Sequence, residues 1–246
     1  SPSGLSTTPN DTLEANQAYA SFGYSVSSAG DVNGDNYDDV VVGAYSYTNG
    51  QASEGVAFVY YGSSSGLNST PGDTLEANQA WSSFGVCVAS AGDVNGDGYD
   101  DVIVGADYYS NGQIEEGAAF VFHGSGSGLS STPNWTSESN QDNSSYGFSV
   151  SSAGDVNGDS YDDVIIGASA YNNGQNDEGR VYVFHGGSSG LSSSANWTSE
   201  SNQDSAYYGL SVSCAGDVNN DGYDDVIIGA DLYDNGQKDE GMVFVY

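Results

Sequence analysis

The stretch GDVNGDNYDDVVVGA at residues 30–44 returns at 92–106, 154–168 and 216–230, nearly unchanged and each time displaced by 62 residues. Four units of 62 make 248, two more than the 246 residues of the chain, so the sequence is one repeat read four times. Such a period implies an architecture in which each unit buries its apolar faces against its neighbours. Copies one and two share DTLEANQA (11–18 and 73–80), and copies three and four share NWTSESNQD (134–142 and 196–204), the mark of a pair that duplicated again.

Within a copy, FGYSVSSAG (22–30) has the small, alternating character of a strand, and an acidic loop follows it. DVVVGA (39–44) is apolar at consecutive positions, which suits a strand buried on both faces. YTNGQASEG (47–55) contains an Asn-Gly turn, VAFVYYG (56–62) reads as a third strand, and DTLEA (73–77) as a weaker, more polar fourth. With 35 Gly, 19 Tyr and only 4 Pro, the composition favours short strands over helices. The expected fold is all-β: a β-propeller of four-stranded antiparallel blades, four blades per chain, in one domain spanning 1–246. A solenoid would need atypical end repeats, and none is present. Residues 1–20 match 63–82, the segment after a third strand, whereas MVFVY (242–246) is the third strand of the fourth copy. Residues 10–16, with DTLEA at 11–15, are therefore expected to supply the outer strand of the last blade. That pairing closes either a four-bladed ring or, between two chains, an eight-bladed one.

Numbering each loop from its first Asp puts side-chain oxygens at positions 1, 3, 5 and 9 and a main-chain carbonyl at position 7. The candidate ligands are Asp31, Asn33, Asp35, Tyr37 and Asp39; Asp93, Asn95, Asp97, Tyr99 and Asp101; Asp155, Asn157, Asp159, Tyr161 and Asp163; and Asp217, Asn219, Asp221, Tyr223 and Asp225. This is the alternation at the start of an EF-hand loop, and calcium takes six to eight hard oxygen ligands. Position 6 is Asn36, Gly98, Ser160 or Gly222, residues that tolerate a tight bend. Sixteen of the 34 acidic residues fall in these loops, and four calcium ions, one per blade, would take the formal charge from −32 to −24. A solvated acidic surface does not need the same alternating offsets four times. Magnesium prefers a smaller octahedral site, manganese could substitute, and zinc would seek His or Cys. His123 and His185 sit at strand ends and read as structural. The position-8 residues Asp38, Asp100, Asp162 and Asp224 should point away from an ion and support its ligands.

These elements resemble the FG-GAP repeat of integrin α-subunit propellers and their bacterial relatives. The FG element is Phe22-Gly23, Phe84-Gly85, Tyr146-Gly147 and Tyr208-Gly209, and the GAP element is Gly43-Ala44, Gly105-Ala106, Gly167-Ala168 and Gly229-Ala230. The resemblance covers the whole chain. It implies a propeller with calcium in the hairpin between the first two strands of each blade, held by loop positions 1, 3, 5, 7 and 9. The Pro of GAP is absent, with Tyr45, Asp107, Ser169 and Asp231 in its place, which alters the turn and not the loop. The family's rings usually have seven blades; this chain has four, which favours a homodimer completing eight.

Arg180 and Lys238 are the only basic residues, so nothing can neutralise a run of phosphates, and neither nucleic acid nor an anionic membrane is an expected partner. No stretch approaches the roughly 20 apolar residues of a membrane span, and residues 1–25 carry no signal-peptide pattern. Cys87 and Cys214 replace Ser at different repeat positions, as unpaired small thiols would. No catalytic Ser/His/Asp set or phosphate loop stands apart from the repeats, so the chain is not expected to be an enzyme. The expected role is a calcium-stabilised, extracellular binding or adhesion scaffold. Its protein or glycan ligand would meet the face opposite the loops, where Tyr47, Tyr109, Tyr171 and Tyr233 are joined by Tyr19, Trp81, Tyr146 and Tyr207; the Tyr47 set, identical in every copy, reads equally as packing between blades. The alternatives are a lectin-like module and a structural repeat with no ligand beyond calcium.

Overall fold

The computed structural model describes residues 5–246, and residues 1–4 of the expected domain lie outside it. Each copy forms its own antiparallel meander in sequence order. The first contains β1 (Ser25–Gly30), β2 (Asp39–Ala44), β3 (Val56–Tyr60) and β4 (Asp73–Leu75). The second contains β5 (Cys87–Gly92), β6 (Asp101–Ala106), β7 (Ala118–Phe122) and β8 (Trp135–Glu138), and the third β9 (Tyr146–Gly154), β10 (Asp163–Ala168), β11 (Arg180–Phe184) and β12 (Trp197–Glu200). The fourth has three strands, β13 (Ser211–Gly216), β14 (Asp225–Ala230) and β15 (Met242–Val245). There is no helix among the described residues.

The apolar second strand spans 39–44 as expected and is almost wholly buried, because it lies between two ladders, with the second sheet against one face and Leu13 and Ala15 against the other. The outer strand is shorter than expected, ending at Leu75. Beyond it the chain crosses to the next sheet, where the Gln79 amide donates to the Ser110 carbonyl at 2.9 Å and accepts from the Ser110 N–H at 2.8 Å.

The sheets stack face to face, β1 on β5, β5 on β9 and β9 on β13. Between the first two, Val41, Ala57, Val59 and Leu75 meet Phe84, Val88, Val104 and Phe120; the second and third interfaces repeat this arrangement with Ile103 and Val121, then Ile165 and Val183. The aromatic of the FG element is the central knob: the Phe84 ring lies 5.5 Å from Phe120, and Tyr146 lies 5.2 Å from Tyr182.

Glycines set how closely the sheets approach. A Cβ at Gly43, Gly105 or Gly167 would stand 2.0, 1.8 or 1.9 Å from the carbonyl oxygen of Gly85, Gly147 or Gly209 in the next sheet. The Gly-Ala of one copy and the Phe/Tyr-Gly of the next are thus two halves of one backbone contact. Gly30 has a different reason. It sits at a bulge with φ +75°, and a Cβ there would fall 2.2 Å from the Asp100 carboxylate of the next sheet.

Three such interfaces are formed, and no equivalent packing joins β13 to β1. The expected ladder between residues 11–15 and 242–246 is also not formed within the chain, since β15 pairs with β14 alone. Leu13 and Ala15 lie instead against Val42, Phe58 and Tyr60 on the outward face of the first sheet. That face is the counterpart of the one that Leu75 covers on the second sheet, so the apolar surface holds the segment in place.

Gly105→Ala should destabilise the chain by about 1–3 kcal/mol or more in urea denaturation, because the new methyl group meets main chain on both sides. A cost below 0.5 kcal/mol would show that the sheets can separate freely.

Candidate metal centre

Each acidic loop is a hairpin between the first and second strands of its sheet, wound inward by its own side chains. In the first copy, Asp31 Oδ1 accepts hydrogen bonds from the N–H groups of Gly34 (2.7 Å) and Asp35 (3.0 Å), and Oδ2 accepts from Asn36 (2.8 Å). Asn33 Oδ1 accepts from Asp35 N–H at 2.9 Å, and Asp35 Oδ1 from Tyr37 N–H at 3.0 Å. The second and third loops repeat all five bonds around Asp93 and Asp155. The fourth keeps Asp217 bonded to the N–H groups of Asp221 and Gly222, both at 3.0 Å, and Asp221 bonded to Tyr223 N–H at 3.1 Å. Position 6 is left-handed in every copy, with φ of 67° at Asn36, 88° at Gly98, 71° at Ser160 and 94° at Gly222, in accord with the turn-tolerant residues found there.

Position 9 is buried. Asp39 accepts the N–H groups of Val32 (3.1 Å) and Gly62 (2.8 Å), joining the start of the loop to the far end of β3. Asp101 and Asp163 do the same with Val94 and Gly124, and with Val156 and Gly186. Burial pushes the Asp39 carboxyl up to about 6, with Asp35 and Asp31 adding repulsion and the two N–H groups opposing the shift. Burial likewise raises Asp101 to about 7 and Asp163 to about 6. The single ion pair among the described residues is Lys238–Asp239, far along the chain from the first three loops. No ion pair among the described residues therefore offsets their negative charge, and the carboxylates are held by N–H groups, with His185 also near Asp163.

Among the described residues, no three His, Cys, Asp or Glu side chains stand together as a preformed cage. The donors at each loop are mixed, comprising carboxylates at positions 1, 5 and 9, an amide at 3 and a carbonyl at 7, all of them oxygen. That set suits a hard cation with several ligands and offers nothing to zinc.

Two functions of the loop went unseen in the sequence. The position-8 aspartates reach across to the neighbouring sheet: Asp100 Oδ2 accepts Asp31 N–H at 2.8 Å, Asp162 accepts Asp93 N–H at 2.8 Å, and Asp224 accepts Asp155 N–H at 3.0 Å. In return the N–H of each of these three residues donates to the carbonyl of the same partner, while Asp38 has no such tie among the described residues. The Tyr at position 7 contributes its ring as well as its carbonyl, since a Cβ at Gly34, Gly96 or Gly158 would stand 2.5, 2.5 or 2.6 Å from Tyr99, Tyr161 or Tyr223. The only signal was recurrence in every copy, and recurrence does not say which neighbour a side chain reaches.

At the opposite end, the Asn-Gly turns are held by Glu54, Glu116 and Glu178, all fully buried and unsuspected from the sequence. Glu54 accepts Asn49 N–H at 2.7 Å, and its own carbonyl accepts the Phe84 N–H of the next sheet at 3.1 Å. Tyr47, Tyr109, Tyr171 and Tyr233 pack edge-to-face against Phe58, Phe120, Tyr182 and Phe244 of their own sheets, so this set belongs to the framework. Tyr146 is buried, not on the end face as expected, because it is the FG aromatic of its copy. Tyr19 and Trp81, at equivalent positions, are the large aromatics of this group left open, 96% and 67% exposed. Cys87 and Cys214 are unpaired. Cys87 Sγ accepts Val150 N–H at 3.4 Å, the tie that Ser25 makes to Val88 and Ser149 to Val212. The main-chain N–H of His123 donates to Asn134 Oδ1 at 2.9 Å, and its ring Nε2 is buried without a hydrogen-bond partner among the described residues.

Antiparallel meanders stacked face to face, each with an acidic hairpin at the same corner, define a β-propeller type of repeat protein. The FG-GAP repeat model matches at residues 22–60, 88–122, 146–184 and 210–246, and the chain belongs to the FG-GAP repeat family. It is 35% identical over 210 residues to phosphatidylinositol-glycan-specific phospholipase D of Bos taurus, across 79% of this chain and 25% of that protein. It is 31% identical over 220 residues to integrin alpha-5 of Xenopus laevis, across 85% of this chain and 20% of that one. The chain thus spans a quarter or less of these relatives. The exotype rhamnogalacturonan lyase YesX superposes with a TM-score of 0.50 at 16% identity, over 81% of this chain and 37% of that chain, a likeness of fold alone.

Asp162→Ala should cost about 1–3 kcal/mol, since it leaves the Asp93 N–H without its acceptor between two sheets. Equilibrium unfolding in urea checks this, and an unchanged midpoint would show that the tie contributes nothing.

Proposed function

We propose that this chain is a calcium-stabilised, non-catalytic binding scaffold that works outside the cytoplasm. The observation that carries the reading is the fourfold loop, in the first three copies of which the oxygens at positions 1, 3 and 5 accept the loop's own N–H groups beside a buried Asp39, Asp101 or Asp163. A divalent ion there would replace repulsion among carboxylates with attraction, and would hold the loop that also ties sheet to sheet. Asp31, Asn33, Asp35, Asp39 and the carbonyl of Tyr37 would hold it in the first copy, and their equivalents in the others. Millimolar calcium outside cells would keep even weak sites filled. No helix among the described residues is long and apolar enough to cross a membrane.

Likeness to integrin alpha chains supports a binding role. Two relatives are by name phospholipases, but the four copies here carry the same groups at the same offsets, which suits a scaffold better than one reacting centre. The exposed Tyr19 and Trp81 favour a ligand at the end opposite the loops, either a protein or, in the lectin-like reading, a glycan.

Calcium titration by calorimetry should give about four ions per chain, and chelation should lower the melting temperature. A site filled at a hundred times its dissociation constant adds about 2.7 kcal/mol to stability. An unchanged melt after verified removal of metal would end the calcium reading. A glycan array tests the second reading: binding lost on Trp81→Ala would support the lectin role, and no bound sugar at all would remove it.

A further inference from the structure

The two outermost faces of the stack are complementary halves of an interface that the chain already makes three times. Val243, Val245 and Val218 on the fourth sheet are 61%, 51% and 62% exposed, whereas their counterparts in the first two sheets, Ala57, Val59 and Val32 and then Ala119, Val121 and Val94, are fully buried by the next sheet. On the first sheet Val26 is 65% exposed, against 3% for Val88 and Val150. A groove of about 440 Å³ on the fourth sheet is lined by Ser211, Gly229, Ala230, Gly241, Met242 and Val243. The matching glycines of the first sheet, Gly43 and Gly55, are the ones against which Phe84 and Gly85 lie, with a Cβ at either meeting their carbonyls at 2.0 and 2.1 Å. At Gly229 a Cβ would meet nothing nearer than Ser211 of its own sheet, 3.7 Å away.

We propose that a second copy of this chain fills that groove, its Phe22-Gly23 corner seating where Phe84-Gly85 seats on the first sheet, and that two such contacts close an eight-bladed ring. The inference rests on the fold and not on the calcium reading. The internal interfaces specify the pairs. Val26 N–H of the partner subunit would donate to Ser211 Oγ, as Val88 does to Ser25. Asp38 of the partner subunit would accept Asp217 N–H, as Asp100 accepts Asp31, so the fourth acidic loop gains the inter-sheet tie that the other three have. Phe22 N–H of the partner subunit would reach the Glu240 carbonyl, as Phe84 reaches Glu54.

The N-terminal segment supports the same occupant. Asp11 lies against Gly66 of the first sheet as Asp73, at the start of β4, lies against Gly128 of the second. Residues 11–15 therefore already occupy the place of a fourth strand from a preceding sheet, and a docked copy would bring its β15 alongside them. One position departs from the pattern. Asn220 stands where Gly34, Gly96 and Gly158 make room for a tyrosine ring, so Tyr37 of the partner subunit must turn its ring aside.

Native mass spectrometry and light scattering of the 25.3 kDa chain in millimolar calcium should give twice that mass. Gly229→Ala adds a methyl group that the single stack tolerates and the docked one does not, and should convert the dimer to monomer with an unchanged circular dichroism spectrum. Val26→Arg on the opposite face should do the same, while Asn220→Gly should lower the dimer dissociation constant. A monomeric parent chain, an open-ended ladder of masses, or dimers that survive both Gly229→Ala and Val26→Arg would each overturn the proposal.

Discussion

A sheet in this protein has two apolar faces, and only the next sheet along can cover the trailing one closely enough, because the approach is main chain to main chain. The carbonyl of Gly85 sits against Gly43 where a side chain would otherwise be, and the aromatic before it fills the space alongside. Such contact allows neither water nor a longer side chain between the layers. The hydrophobic clusters, the ties between loops and the angle at which each hairpin is presented all depend on this spacing.

The acidic loops share residues with that stack. Asp31 offers its carboxylate to the loop interior while its main-chain N–H is held by Asp100 of the following sheet, and Asp39 clamps the loop to the end of its own β3. Under the proposed calcium reading, the residues that would bind the ion are covalently next to those that align the sheets. Metal affinity and the order of the stack are then coupled through a few bonds, without a separate allosteric element.

Periodicity makes most of this legible in the sequence. β2, β6, β10 and β14 fall where unbroken apolar runs require burial on both faces, and the hairpin offsets of Asp31, Asn33, Asp35 and Asp39 recur without exception. The first-strand starts and the outer strands were less legible, since Gly85 and the residues after Leu75 answer to contacts with other sheets and not to local pattern. The inter-sheet role of Asp100 and the ring of Tyr99 over Gly34 were beyond reading for the same reason: each side chain acts on a residue far from it in sequence.

The sequence by itself determined the unit: an all-β meander of fixed length with one oxygen-rich hairpin, set by alternation, apolar runs and turn residues that act within a few positions of each other. Tertiary structure alone decided how units meet. It placed residues 11–15 on the first sheet and turned Asp100, Asp162 and Asp224 outward to their neighbours. Those outcomes depend on the angle and distance between successive sheets, which are set by backbone contact and side-chain volume summed over whole faces, quantities that no single repeat encodes on its own.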